Sequence, residues 1–135
     1  MKLLDRKVMI AQFLSMFVAI EIGDQLAGLL IRLGVTVSIN GLAGLLAHCI
    51  VGVGYGYAFS KAPADRRNLL VLMLLPMALV CGALQSAVLF MLDDRIFYVT
   101  KWLAYVLTSK FGFQWLIVVP VSAYYAAKRF ARRIA

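Results

Sequence analysis

Leu69–Leu92, LLVLMLLPMALVCGALQSAVLFML, runs for 24 residues without a charged side chain. Coiled as an α-helix at about 1.5 Å per residue it is about 36 Å long. That is enough to cross a hydrocarbon core of about 30 Å. Similar runs lie on both sides of it. Ile39–Phe59 is also uncharged, and Val8–Leu33 is apolar except for a polar patch in its second half. Phe111–Ala127 is a shorter fourth run. Composition points the same way. Of 135 residues, 64% are hydrophobic and 15% charged, against about 45–50% and about 25% in soluble domains. A chain of this size buries only about two-thirds of its surface, so a core cannot absorb the excess. A soluble enzyme and a soluble nucleic-acid-binding domain are thereby excluded. The expected fold is all-α: one domain over 1–135, an integral membrane bundle of four transmembrane helices at about 8–33, 39–59, 69–92 and 111–127.

The breaks between runs fit this layout. Gly34–Asn40 makes a short turn, and Lys61–Asn68 (KAPADRRN) makes a charged one. Asp93-Asp94-Arg95 ends the third span. The stretch 95–110 has a helical pattern, with Thr100, Lys101, Ala104 and Thr108 on one side and apolar residues on the rest. It reads as an amphipathic helix in the outer interface between helices 3 and 4, with Tyr98, Trp102 and Tyr105 at headgroup level. A re-entrant segment is the other option, and Gly112 would then permit the bend into the fourth span. The basic start, Met1–Lys7, imitates a signal peptide. The apolar run after it is too long for one and continues into Glu21, so it reads as an uncleaved first span.

Basic residues set the orientation. Lys2, Arg6, Lys7, Lys61, Arg66, Arg67, Lys128, Arg129, Arg132 and Arg133 fall on one side of the layout; Arg32, Arg95, Lys101 and Lys110 fall on the other. The positive-inside rule then places both termini in the cytoplasm. The formal charge of +8 therefore reads as a record of topology, and no nucleic-acid partner is expected.

The polar residues inside the spans are the candidate site. Glu21, Gln25, Gly28 and Arg32 recur at helical spacing on one face, with Asp24 beside it. Carboxylates at the bilayer centre cost about 2.5–3.5 kcal/mol each, so they are expected to face the bundle interior beside a partner. In the second run Asn40, Gly44, His48, Gly52, Gly56 and Ser60 follow at every fourth position. Gly52-x-x-x-Gly56 is the small-residue spacing that lets helices approach closely. Gly82 continues the theme in the third run, near Gln85. Depths estimated at about 1.5 Å per residue nearly coincide, so Glu21, Asp24, Gln25, His48 and Gln85 are expected to form one buried polar cluster. It reads either as hydrogen-bonding glue between helices or as a proton or cation site. Cys49 and Cys81 lack metal-ligand spacing and read as small buried hydrophobes. No metal motif, phosphate loop or catalytic constellation is present, so no cofactor and no enzymatic chemistry are expected.

Glu21-Ile22-Gly23-Asp24 resembles the E-x-G-D-(K/R)-(S/T) signature of cation/proton exchangers for manganese and calcium; Gln25 and Leu26 depart from it. That resemblance implies ion transport through Glu21 and Asp24. A glutamate in the first of four spans also resembles the small multidrug resistance transporters, without the tryptophan and glycine pattern of their later spans. The whole layout, with its Lys/Pro/Arg hairpin and aromatic-basic end, resembles small four-helix bacterial inner-membrane proteins, including immunity proteins against pore-forming toxins. Two functions follow as expectations. One is a non-enzymatic accessory protein, of immunity or helper type, that binds another membrane protein or a second copy of itself within the lipid bilayer. The alternative is a small transporter coupled to protons or cations.

Overall fold

The computed structural model describes residues 6–34 and 42–134. Every regular element among them is helical: α1 (Arg6–Arg32), α2 (Leu42–Ser60), α3 (Ala64–Leu92), α4 (Val99–Thr108), α5 (Lys110–Phe113) and α6 (Val119–Ile134). A π-helical turn, Gln114–Val118, joins α5 to α6, so 110–134 is one unbroken helical run. Three helices, Arg6–Arg32, Ala43–Ser60 and Ala64–Leu92, are long and apolar enough to cross a membrane.

Several boundaries differ from the sequence expectation. The charged turn after α2 is short, because α3 starts at Ala64 with Pro63 as its N-cap. Pro63 is extended (ψ 150°) and makes no side-chain cap bond, while Asp65 in the first turn complements the helix dipole. The segment expected to be helical over 95–110 is helical over Val99–Thr108. Ser109 interrupts it in an extended conformation. Gly112 therefore does not form the bend. Its role is contact: an added Cβ would run into the carbonyl of Val106, where α4 folds back on the next helix. The last helix continues through the basic tail to Ile134 rather than stopping near 127, since Ala, Lys and Arg are good helix formers. The turn 34–40 and the start of the second span fall outside the described residues beyond Gly34.

The π turn has a local cause. Pro120 has no N–H for the carbonyl of Leu116, and its ring presses on that carbonyl in a regular α-helix. The wider turn just before it relieves this, and the Val119 N–H bonds to the Gln114 carbonyl five residues back.

Packing follows small residues. The most extensive interface joins α2 and α6, which run in the same direction. A Cβ on Gly52 would lie 2.6 Å from Ser122 Cβ and 2.7 Å from the Val119 carbonyl oxygen. One on Gly56 would lie 2.5 Å from Ala126 Cβ and 2.6 Å from the Ala123 oxygen. Val119, Ala123 and Ala127 are fully buried on the facing side. α1 lies against both α2 and α3. Its inward stripe is Gln12, Met16, Ala19, Ile20 and Gly23, one face of a 3.6-residue period. Gln12 Nε2 donates to the Leu70 carbonyl at 2.9 Å, a buried bond between α1 and α3. Met16, Leu74, Met77, Cys81 and Trp115 complete the core. The outward surface of α1 and α3 is also apolar, with Leu14, Val18, Ile22, Leu72, Val80, Leu84 and Val88 exposed.

The glycine contacts give a direct test. Gly52→Leu and Gly56→Leu are each expected to cost about 3 kcal/mol or more, because the clash is with backbone that cannot move aside. Gly54 has open space around its Cβ position, so Gly54→Ala should raise stability by up to about 1 kcal/mol through helix propensity. Thermal unfolding in detergent, followed by circular dichroism, checks both signs.

Candidate functional site

The five polar residues expected to form one cluster do not meet in one place. Only His48 is buried, at 1% exposure. Glu21, Asp24 and Gln25 are exposed, and Gln85 is half-buried. The reason lies in α1. Its buried stripe is already filled by Gln12, Met16, Ala19, Ile20 and Gly23. At about 100° per residue Glu21 and Gln25 then point almost directly away from it. The polar face is the outward face, which corrects the expectation that it lines the interior.

Two sub-sites result. The first is a lateral groove between α1 and α3 of about 530 Å³, lined by Phe17, Glu21, Asp24, Leu84, Gln85 and Val88 among others. Gln25 Nε2 donates to Glu21 Oε1 at 3.1 Å, one helical turn away. Gln85 Nε2 points to the Phe17 carbonyl at 3.5 Å, a long contact that ties α3 to α1. Neither carboxylate has an ion-pair partner among the described residues. Arg32, on the same face of α1, sits about 12–17 Å further along the helix.

The second sub-site is the His48 junction. His48 Nδ1 donates to the Gly44 carbonyl at 2.6 Å, one turn back in α2. Its ring meets Trp115 edge-on, with centroids 5.1 Å apart and an interplanar angle of 88°. Nε2 points at α1, 3.0 Å from where a Cβ on Gly23 would be. It is buried and has no hydrogen-bond partner among the described residues. So Gly23, read in the sequence only as part of a motif, is what admits the imidazole. Asp24, the next residue, lies within electrostatic reach of both His48 and Glu21. That field links the groove to the junction.

The glycines expected to serve packing have separate roles. Gly52 and Gly56 face α6, as described. Gly44 makes room for the Gln114 side chain at the start of the π turn. Gly82 is buried in α3. Trp115 and Gln12 are central to the interior yet carry no motif. The sequence feature nearest to Trp115 is Pro120, five residues on, whose missing N–H disturbs the turn that holds the tryptophan. Cys49 and Cys81 are free, and Cys81 is buried, with its thiol 3.6 Å from the Phe13 carbonyl. Among the described residues no group of three or more His, Cys, Asp or Glu side chains converges.

Compared with known protein families, curated proteins and solved structures, the chain matches none.

The geometry around His48 separates volume from polarity. His48→Ala leaves a cavity against Trp115 and Gly23 and should cost about 2–4 kcal/mol. His48→Phe keeps an aromatic ring, somewhat larger than imidazole, and loses one bond within its own helix, so it should cost less than His48→Ala, about 1–2 kcal/mol. Thermal unfolding of the two variants in detergent would show a clear gap; equal losses would mean that the imidazole nitrogens hold the junction.

Proposed function

We propose that the chain is a four-span membrane protein that binds a second membrane protein through the outward face of α1. In this reading α1, α2, α3 and the run 110–134 form a four-helix transmembrane bundle, with α4 lying in the outer interface. Both termini face the cytoplasm, as the distribution of basic residues favours. The membrane is the inner membrane of a bacterium, which the resemblance in layout suggests.

The observation that carries the reading is the pair Glu21 and Asp24. They stand exposed on an outward face that is otherwise mostly apolar, with Val18, Ile22, Leu29 and Ile31 around them and Gln25 as a polar neighbour, and no cation in the described chain pairs with them. Carboxylates facing lipid at that depth are expensive. A partner helix offering a basic or hydrogen-bonding group removes that cost on assembly. The chain would then be an accessory subunit of immunity or helper type, without enzymatic chemistry. Two parallel copies would bring Glu21 against Glu21 on this face, so like charge favours a different partner over self-association.

A second reading draws on the other sub-site. A buried imidazole whose Nε2 has no partner among the described residues, in the field of Asp24, is suited to proton or cation transfer. It would make the chain a small coupled transporter using Glu21, Asp24 and His48.

Purification from native membranes in mild detergent, with mass spectrometry of the intact complex, tests the first reading. A stoichiometric foreign subunit is expected. Its recovery should fall at least tenfold in the double variant Glu21→Gln, Asp24→Asn, with unchanged thermal stability of the isolated chain, because both side chains are exposed. Recovery of this chain alone from wild-type membranes, with proton or cation flux in liposomes that Glu21→Gln abolishes, would overturn it in favour of transport.

A further inference from the structure

Aromatic rings enclose a groove of about 390 Å³ between the end of α3 and α4. Its walls include Phe90, Phe97, Trp102 and Tyr105. Trp102 Nε1 donates to Ser86 Oγ at 3.0 Å, which pins α4 to α3 and fixes the groove's width. Phe90 and Phe97 meet edge-on at 5.7 Å between centroids. This groove lies on α3 and α4, whereas the partner face of the Proposed function lies on α1.

Among the described residues Lys101 is the one charged side chain that lines the groove. Its ammonium sits 5.0 Å from the centroid of Tyr98, which holds the cation beside the opening without neutralising it. The other nearby cation is already engaged: Arg95 bonds to Asp93 at 2.8 Å and lies over the Phe90 ring. Among the described residues no acidic side chain lines the groove. Ile96, which also lines the groove, is an exposed apolar residue, so the groove is continuous with apolar surface.

We propose that this groove is a binding site for an anionic phospholipid, with one acyl chain between the aromatic walls and the headgroup phosphate on Lys101. An apolar slot of this volume is within the range of ligand pockets, and a single unpaired lysine at its edge selects an amphiphile with a negative head over a neutral one. The site rests on the membrane placement proposed above but not on the partner assigned to α1.

The test titrates the purified full-length chain in mild detergent with phosphatidylglycerol or phosphatidylcholine of the same acyl composition, with bound lipid read by native mass spectrometry. Phosphatidylglycerol should bind about fivefold more tightly, the effect of one lysine near an anionic lipid. Lys101→Ala should erase the preference and Lys101→Arg should keep it; Lys101 is exposed, so neither variant threatens the fold. Glycerol phosphate alone should compete poorly, because it lacks the acyl chain. Equal binding of the two lipids by the unmodified chain, an undiminished preference in Lys101→Ala, or full competition by glycerol phosphate would each overturn the proposal. Sedimentation of the chain with washed membranes tests the membrane placement separately, so failure of the lipid site and failure of that placement are distinguishable.

Discussion

The rest of the structure depends on how closely α2 approaches α6. At Gly52 and Gly56 a single added carbon would strike backbone atoms of the opposite helix within 3 Å. In the membrane placement proposed above there is little hydrophobic force between helices, so association rests on close van der Waals contact. Glycine on one helix and Val119, Ala123 and Ala127 on the other supply it. With these two helices fixed, the ring of His48 has Trp115 on one side and α1 on the other. Gly23 then decides which face of α1 can come in.

That choice explains the polar face of α1. The helix could bury Glu21 and Asp24 only by turning Gly23 and Ala19 outward, which would lose the His48 contact and bury two carboxylates without cations. Charge burial of that kind costs several kcal/mol per ion. Exposure shifts the cost to the surface, where another molecule can remove it. The interior is left with Gln12, His48 and Ser60 as its buried polar side chains among the described residues, each bonded to a backbone carbonyl.

Much of the helical layout is legible in the sequence, and the reasons for the misses are physical. The run Val8–Leu33 lies within two residues of α1, because nothing but apolar length is needed to mark it. The start of α3 is hidden because Pro63 and Asp65 are turn residues and helix-start residues alike. The orientation of α1 is illegible for a deeper reason: both faces are mostly apolar with polar residues set among them, Gln12 on the inner and Glu21 and Gln25 on the outer, so periodicity cannot tell them apart. Position along the chain places Glu21, Asp24, Gln25, His48 and Gln85 at similar depth, but depth says nothing about rotation around each helix. Rotation is what parts His48 from the other four. The glycine spacing of α2 is the clearest local signal, since close approach leaves few alternatives to glycine.

The π turn has a consequence at the far end of its helix. Lys128, Arg129, Arg132 and Arg133 share one side of α6, and all four are exposed. Their compass bearing is not set locally. It is carried rigidly from 114–118, along a helix whose inner edge is locked to the glycines of α2. Each residue added to or removed from that turn would swing everything beyond it by about 100°. Either the small residues would leave α2 or the positive edge would face a new direction. One irregular turn beside Pro120 thereby aims the basic end of the protein about 20 Å away.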